Sequence, residues 1–423
     1  MLLLGVSFAV LLLLGMPVAF VLAVAGSVYM IYVGAPYETM IIQNMISTVD
    51  SFVFLCIPFF LLTGDIMCEA GITEKLVNLS RCIVGGIRGS LAHVTVIASM
   101  VFAGISGSAS ADASALGSIL IPGMKKEGYT VDFSCALIAQ ASVIGPIIPP
   151  SITMVIMGLV TGMSIGKLFI AGAIPGVLIG LLLMGVIWLG RKNHPPSTPR
   201  PPLPEVIKIL ISATPALVTP LIICVGIITG IFTPTEASVV AVAWSLICGL
   251  FIYRGIKLSD LPRIFLRTGI TTGAVLVLLA ASGILGWALA IEQIPLQMGN
   301  FLLSISANQH ILLLYIIILV LILGTFMDPS VIVIIFAPVL LPIAVKAGMD
   351  PLHFCTVLAI AALMGLCTPP LGVCLFIAAS IGKISVERVV RAILPFLFVS
   401  VIALFLVAYI PALATWLPNL LIH

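Results

Sequence analysis

Apolar residues run along this chain in long blocks broken by short polar knots, without the 3.6-residue alternation of a helix that faces water. A bilayer core of about 30 Å needs about 20 apolar residues as helix. Blocks of that kind predict crossings at 2–33, 46–69, 133–162, 168–190, 211–231, 234–253, 268–290, 352–380 and 393–416. Two apolar regions depart from the template. Residues 90–123 hold two arms around Gly104-Ile105-Ser106-Gly107-Ser108, and residues 311–343 hold two arms around Gly324-Thr325-Phe326-Met327-Asp328. Each arm has about a dozen apolar residues, too few to span, so each pair is predicted to enter and leave the membrane on one side as a re-entrant hairpin.

Two of the predicted crossings are interrupted at matching points. Gly145-Pro146-Ile147-Ile148-Pro149-Pro150 and Gly365-Leu366-Cys367-Thr368-Pro369-Pro370 both read Gly-x-x-x-Pro-Pro, and both follow a Lys-x-Gly tripeptide, Lys126 to Gly128 and Lys346 to Gly348. Proline removes a backbone donor and clashes with the preceding turn, which leaves carbonyls without partners where lipid cannot satisfy them. Paired broken helices in two halves of a membrane protein point to the substrate and ion sites of a secondary transporter. The halves also match elsewhere. Pro17 pairs with Pro234, Asp112 with Asp328 and Gly145 with Gly365, and each aspartate stands ten residues before a proline, Pro122 or Pro338. The predicted fold is an all-α polytopic membrane protein. Residues 1–190 form one repeat (hairpin 90–123, broken helix 133–162). Residues 191–231 supply a proline-rich linker and a connecting span, and 232–423 form a second, inverted repeat (hairpin 311–343, broken helix 352–380).

Composition sharpens the class and then orients it. The 423 residues are 61% hydrophobic and 8% charged, with mean hydropathy +1.34, against about 25% charged in ordinary globular domains. A net charge of +3 confined to loops argues against nucleic acid as a partner. Arg81, Arg88, Lys125 and Lys126 flank the first hairpin and place its ends in the cytoplasm by the positive-inside rule. Arg191 and Lys192, then Arg254 to Arg267, then Lys383, Arg388 and Arg391 mark further inner loops, whereas the second hairpin has weak basic flanks and is predicted to enter from outside. Nine cysteines without Cys-x-x-Cys spacing read as small buried residues with no metal or disulfide role.

Opposed hairpin tips facing two broken helices would enclose a mid-membrane cavity. Unwound carbonyls and helix C-termini suit a cation, and helix N-termini suit an anion. Hard alkali cations prefer oxygen, which Ser106, Ser108, Ser110, Thr368 and the carbonyls around Gly145 and Gly365 supply. Asp112 and Asp328 follow the tips, and an ionisable group at that depth indicates function or helix capping. Glu236, after Thr233-Pro234-Thr235, reads as a first-turn cap.

The phrases Pro58 to Gly64, Phe102-Ala-Gly-Ile-Ser-Gly-Ser108, Gly145 to Ser151, Gly230-Ile-Phe-Thr-Pro-Thr-Glu-Ala237, Phe326-Met-Asp328 and Thr368 to Gly372 resemble the large membrane subunit of tripartite ATP-independent periplasmic (TRAP) transporters. That resemblance implies an elevator-type, sodium-coupled importer in the bacterial inner membrane. It would work with a small four-helix membrane subunit and a periplasmic substrate-binding protein, on an organic-acid substrate. It further implies one sodium site at Ala103, Ser106, Gly145, Ile148 and Pro149, and another at Gly324, Gly365, Thr368 and Leu371. Ser106, Ser108, Asp112, Pro150, Asp328 and Pro369 are the expected substrate neighbours, with Na+ as co-transported ion and no organic cofactor. The crossings 2–69, 168–267 and 393–416 are expected to frame a mobile unit of hairpins and broken helices, and the segments 72–88 and 255–267 to lie along the inner surface or serve as loops.

Two rival readings exist. A stand-alone sodium/dicarboxylate symporter of related fold would share the architecture. An intramembrane serine protease would use Gly104-Ile105-Ser106-Gly107, but of the histidines only His93 lies inside an apolar segment, more than two helical turns from Ser106. A phosphate-cradling Gly-x-x-x-x-Gly-Lys-Ser/Thr loop is absent from the sequence, so an ion gradient is the expected energy source.

Overall fold

The computed structural model describes residues 2–34, 37–191, 195, 202–293, 297, 308–369 and 372–422. Regular structure among these residues is entirely helical, and seven of the helices are long and apolar enough to cross a membrane. Most of the linker 195–202 lies outside the described residues, as do Pro370 and Leu371.

The first apolar run divides in two. Helix α1 (Leu2–Leu13) and α2 (Val18–Val33) part at Gly15, whose φ of 76° is left-handed, and at Pro17, so 2–33 is not one crossing. Next come α3 (Tyr37–Val49), a 3-10 turn (Phe52–Leu55) and α4 (Cys56–Glu69). Residues 72–88 prove to be mainly helix, α5 (Ile72–Val84), with Ile72, Leu76 and Val77 buried and Lys75 and Arg81 outward. The first hairpin is α6 (Ser90–Ser106) and α7 (Ala109–Lys126), followed by α8 (Val131–Ser142), α9 (Ile152–Thr161) and α10 (Ile165–Leu189). The second half contains α11 (Leu203–Ile228), α12 (Pro234–Ile247, extended by a π turn, Cys248–Ile252) and α13 (Leu261–Ile291). The second hairpin is α14 (Gln309–Gly324) and α15 (Pro329–Lys346). The second broken helix is α16 (Pro351–Met364) and α17 (Val373–Gly382), and α18 (Val386–Tyr409) and α19 (Ala412–Leu421) close the chain.

Both expected hairpins and both breaks are present, with longer arms than anticipated. The arms have 17, 18, 16 and 18 residues, and at 1.5 Å per residue the longest extends about 27 Å. Their helices continue through Pro122, Pro338 and Pro342 and through the polar ends. The arms therefore turn back through a tight tip and are not short. Between α6 and α7 the tip is only Gly107 and Ser108, with Gly107 at φ 59°.

Local chemistry marks the helix starts. Thr130, Ser151 and Ser164 accept bonds from main-chain N–H groups three residues on. Thr233 and Glu236 form a reciprocal capping box, with Thr233 N donating to Glu236 at 2.8 Å, so Glu236 caps as expected. Asp328 and Asp350 cap α15 and α16.

Packing sorts the helices into two bodies. Helix α13 lies against α2, α3 and α4, and α12 lies against α4 and α11. Polar contacts reinforce this body: Tyr29 donates to Glu292, Thr268 donates to Asp65 at 2.6 Å, and Arg263 pairs with Glu69 at 3.2 Å. The hairpins and broken helices form the other body. Helices α10, α18 and α19 pack with it too, which corrects the expectation that 168–190 and 393–416 belong to the frame. The cause is visible on α10. Gly172 and Gly176 receive Ile147 and Ile148 of the first break, and Gly180 receives Met100 of the first hairpin, since small residues allow close helix approach. Arg388 holds Asp132 at 2.8 Å and ties α18 to α8.

Gly107 and Gly162 separate two costs of adding a side chain. Both have positive φ, but a Cβ on Gly107 would stand 2.8 Å from Pro150 O, whereas one on Gly162 would meet nothing within 4 Å. Gly162→Ala should lose about 1 kcal/mol from backbone strain alone, and Gly107→Ala a further 1–3 kcal/mol or so from overlap. Thermal unfolding in detergent checks the order, and equal shifts in Tm would contradict it.

Candidate functional site

The first break runs from residue 143 to 151. Ser142 ends α8, Ser151 caps α9 and donates its Oγ hydrogen to Pro146 O, and Pro149 and Pro150 lie between them. Among the described residues no main-chain N–H donates to the carbonyls of Gly145, Ile148 or Pro149. The first hairpin tip rests against this turn: Gly107 approaches Pro150 O, and a Cβ on Gly104 would stand 3.7 Å from Pro149 O. Between them, a void of about 10 Å³ is lined by Thr63, Ser106, Gly107, Pro150 and Ser151, room for one water-sized particle.

Asp112 completes the arrangement. It is fully buried in the first turn of α7, and its Oδ1 accepts the Ser106 hydroxyl. Its Oδ2 has no protein hydrogen-bond partner and occupies the place where a Cβ on Gly145 would project. Ser108, not Asp112, is the N-cap of α7, so the capping role considered for Asp112 does not hold. A buried carboxylate without a cationic side chain beside it is costly, and a small hard cation among these oxygens would offset that cost.

At the second break the spacing is equally tight. A Cβ on Gly324, at the end of α14, would stand 2.9 Å from Gly365 Cα. Gly365 begins the 3-10 turn Gly365–Cys367, its carbonyl accepts from Thr368 N at 3.0 Å, and Thr368 Oγ1 donates to Met364 O at 2.9 Å. No main-chain N–H among the described residues donates to Gly324 O or Thr368 O. Pro369 is half-buried beside them. The structure therefore joins Ala103, Ser106, Gly145, Ile148 and Pro149 in one neighbourhood and Gly324, Gly365 and Thr368 in another, and Leu371 lies outside the described residues.

A cavity of about 330 Å³ lies between the hairpins, touching Gly107, Ser108 and Ser110 of one and Asp328 and Ser330 of the other. Pro146 and Leu366 of the breaks and Thr153 and Val373 of the helices that follow them line it as well, and Leu61, Thr271 and Leu278 of the first body close its side. Asp328 both caps α15, accepting from Ser330 N at 2.8 Å, and faces this space. A larger cavity, about 690 Å³, shares Leu61, Ser108, Ser110 and Thr271 with it and continues along Ser114 and Ser118 past Asp65, Glu69 and Arg267.

Sequence reasoning missed Arg267, Thr153 and Ser330. Arg267, expected in an inner loop, lies in the second turn of α13 and lines the larger cavity, 3.8 Å from Asp65. Pro262, two residues after Asp260, is a helix-start signal that would have found it. The protease constellation is not formed. Ser106 donates to Asp112, and His93 is 13 residues away on the same helix, about 20 Å along its axis.

The sequence matches the family described as "Tripartite ATP-independent periplasmic transporter, DctM component" over residues 5–413. It is 38% identical over 418 residues to the sialic acid TRAP transporter large permease SiaM of Vibrio cholerae, covering 99% of this chain and 97% of that one. It is 39% identical over 377 residues to the C4-dicarboxylate TRAP transporter large permease DctM of Pseudomonas aeruginosa, covering 89% and 88%. Among solved structures, the YdaH transporter of Alcanivorax borkumensis superposes with a TM-score of 0.59 at 16% identity, over 88% of this chain and 87% of that one, which shows a shared fold. These relatives are permeases, not enzymes, and the family match replaces the stand-alone symporter reading. With its apolar helices, the chain is a multi-pass protein of the bacterial inner membrane and belongs to the DctM family of TRAP transporter large permeases.

Proposed function

We propose that this chain is the large permease of a sodium-coupled importer of an organic acid, working with a small four-helix membrane subunit and a periplasmic substrate-binding protein. The observation that carries the reading is the 330 Å³ cavity, lined jointly by both hairpin tips and both breaks. Cation sites at Ser106 with Gly145, Ile148 and Pro149, and at Gly324 with Gly365 and Thr368, would flank it, where among the described residues the carbonyls of Gly145, Ile148, Pro149, Gly324 and Thr368 accept from no main-chain N–H. Bound sodium would order the tips, and the ordered tips would form the substrate site, so that ion occupancy and substrate affinity are linked.

The cavity's polar lining suggests how an acid is held. Among the described residues no Lys or Arg lines it. A substrate carboxylate would instead meet the hydroxyls of Ser108, Ser110 and Ser330 and the nearby sodium charge. The Asp328 carboxylate would accept a substrate hydroxyl, which favours a hydroxylated acid. Sialic acid and C4-dicarboxylates, named for relatives, are the acids to test first.

Transport by an elevator movement would carry the hairpins, the broken helices, α10, α18 and α19 past the body of α1 to α4 and α11 to α13. The cavities lie on the border between these two bodies, which is where a sliding unit would pick up and release cargo.

Four measurements test the proposal in proteoliposomes holding the permease, its small subunit and its binding protein. Uptake of the cognate acid should require a sodium gradient, and equal uptake with potassium on both sides would overturn the coupling. Ser106→Ala should raise the half-saturating sodium concentration about tenfold, the loss of one ligand, and Asp328→Asn should lower substrate affinity about tenfold at unchanged sodium dependence. A Cβ on Gly104 of α6 would stand 2.9 Å from Pro220 Cβ of α11, so Gly104→Cys with Pro220→Cys can form a disulfide after a slight shift. Oxidation of that pair should stop transport and reduction should restore it, whereas transport through the oxidised pair would contradict movement between the bodies.

A further inference from the structure

The 690 Å³ cavity differs from the central one in that a basic side chain enters its wall. Among the described residues Arg267 is the one Lys or Arg in its lining. Its Nε lies 3.8 Å from Asp65 Oδ1 and its Nη1 3.9 Å from Glu69 Oε1, both beyond hydrogen-bond length. The two acids have nearer partners. Thr268 donates to Asp65 at 2.6 Å, and Arg263 donates to Glu69 at 3.2 Å. Arg267 is thus attracted to this pair and bonded to neither acid, and its fork of N–H donors is left for an acceptor in the cavity.

The rest of the lining forms a polar track that joins the two cavities. Ser110, Ser114 and Ser118 are exposed and four residues apart, so they share one face of α7. Thr271 stands one turn after Arg267 on α13 and borders both spaces, as do Ser108 and Ser110. A row of hydroxyls on a membrane hairpin is costly against lipid and favourable against water or a polar solute. The track leads from the hairpin tip toward Lys125 and Lys126, the end that the basic flanks assign to the inner face. Charge limits what can stay there. Asp65 and Glu69 are balanced by Arg263 and Arg267, and Glu74 adds an exposed carboxylate in the first turn of α5. An anion arriving along the track finds one under-bonded cation for which the neighbouring carboxylates compete, so the hold is brief.

We propose that Arg267, with Thr271, Ser114 and Ser118, is an outlet subsite that takes the substrate carboxylate from the central cavity and releases it toward the inner face. The inference rests on the organic-acid reading above and adds a second binding position to it. Arg267 governs departure of the acid, not its capture, because it does not line the central cavity.

The test places a thiol in the wall of the larger cavity with Ile119→Cys, at a lining residue that is 38% exposed, in the purified permease with its small subunit. Alkylation by uncharged iodoacetamide is followed by peptide-resolved mass spectrometry, which separates the introduced thiol from the native cysteines. The probes are succinate and sialic acid in sodium buffer, with succinamide as the uncharged control. With Arg267 intact, at least one acid should slow the alkylation and succinamide should not. Arg267→Gln should raise the half-protecting concentration about tenfold, the loss of one charge-assisted hydrogen bond, and Arg267→Lys should keep most of the protection. Equal protection in Arg267→Gln, or equal protection by succinamide, overturns the subsite. Sodium-driven uptake of both acids into proteoliposomes without protection by either overturns the subsite alone, whereas neither uptake nor protection overturns the organic-acid reading as well. The comparison of acid with diamide needs no change at residue 267, so the test stays decisive should Arg267→Gln fail to fold.

Discussion

A peptide carbonyl inside a membrane must find a partner, since hydrocarbon supplies none and an unsatisfied group costs several kcal/mol. This chain twice interrupts a helix with Gly-x-x-x-Pro-Pro where the surroundings are buried. The interruption is tolerable only if something else approaches the exposed oxygens. Each break is met by a hairpin tip, Gly107 against Pro150 at one and Gly324 against Gly365 at the other. The hairpin tips thus cover the breaks they face without donating to these carbonyls, which are the oxygens the proposed ions would meet.

The same need explains why so much packing relies on missing side chains. Gly145 leaves room for the Asp112 carboxylate, Gly172 for Ile147, and Gly176 for Ile148. Helix α10 is drawn to the first break by these contacts, and α18 is tied to α8 by the Arg388–Asp132 pair. The body holding the sites is therefore larger than hairpins and breaks alone. Against it stands the body of α13, whose Arg267 interacts with Asp65 and Glu69 at 3.8 and 3.9 Å. These distances are those of loose pairs at an open cavity. A border with polar, weakly paired groups and water-accessible space is easier to shear than an apolar interlock, because nothing apolar has to be exposed.

Asp112 and Asp328 show how similar sequence positions acquire different work. Each stands ten residues before a proline in its hairpin. Asp328 caps α15 through Ser330 N and faces the central cavity, whereas Asp112 is sealed from solvent between Ser106 and Gly145. The tip before Asp112 is two residues long, so its carboxylate falls in the first helical turn and points back toward α6. The tip before Asp328 is Thr325 to Met327, and the aspartate itself begins the helix.

Hydropathy and the repeated proline motif determined a great deal by themselves. The membrane class, the two hairpins, the two breaks and the Glu236 cap follow from local rules, because apolar length, missing donors and capping side chains act over a few residues. The division of the first run at Gly15 and Pro17 was also locally encoded, although the length of the apolar block concealed it. Which helices share a body and the loose pairing of Arg267 beside the serines of α7 were decided only in the tertiary structure. Those features join residues more than 100 positions apart, and their energies come from close approach across helices, which no single stretch of sequence contains.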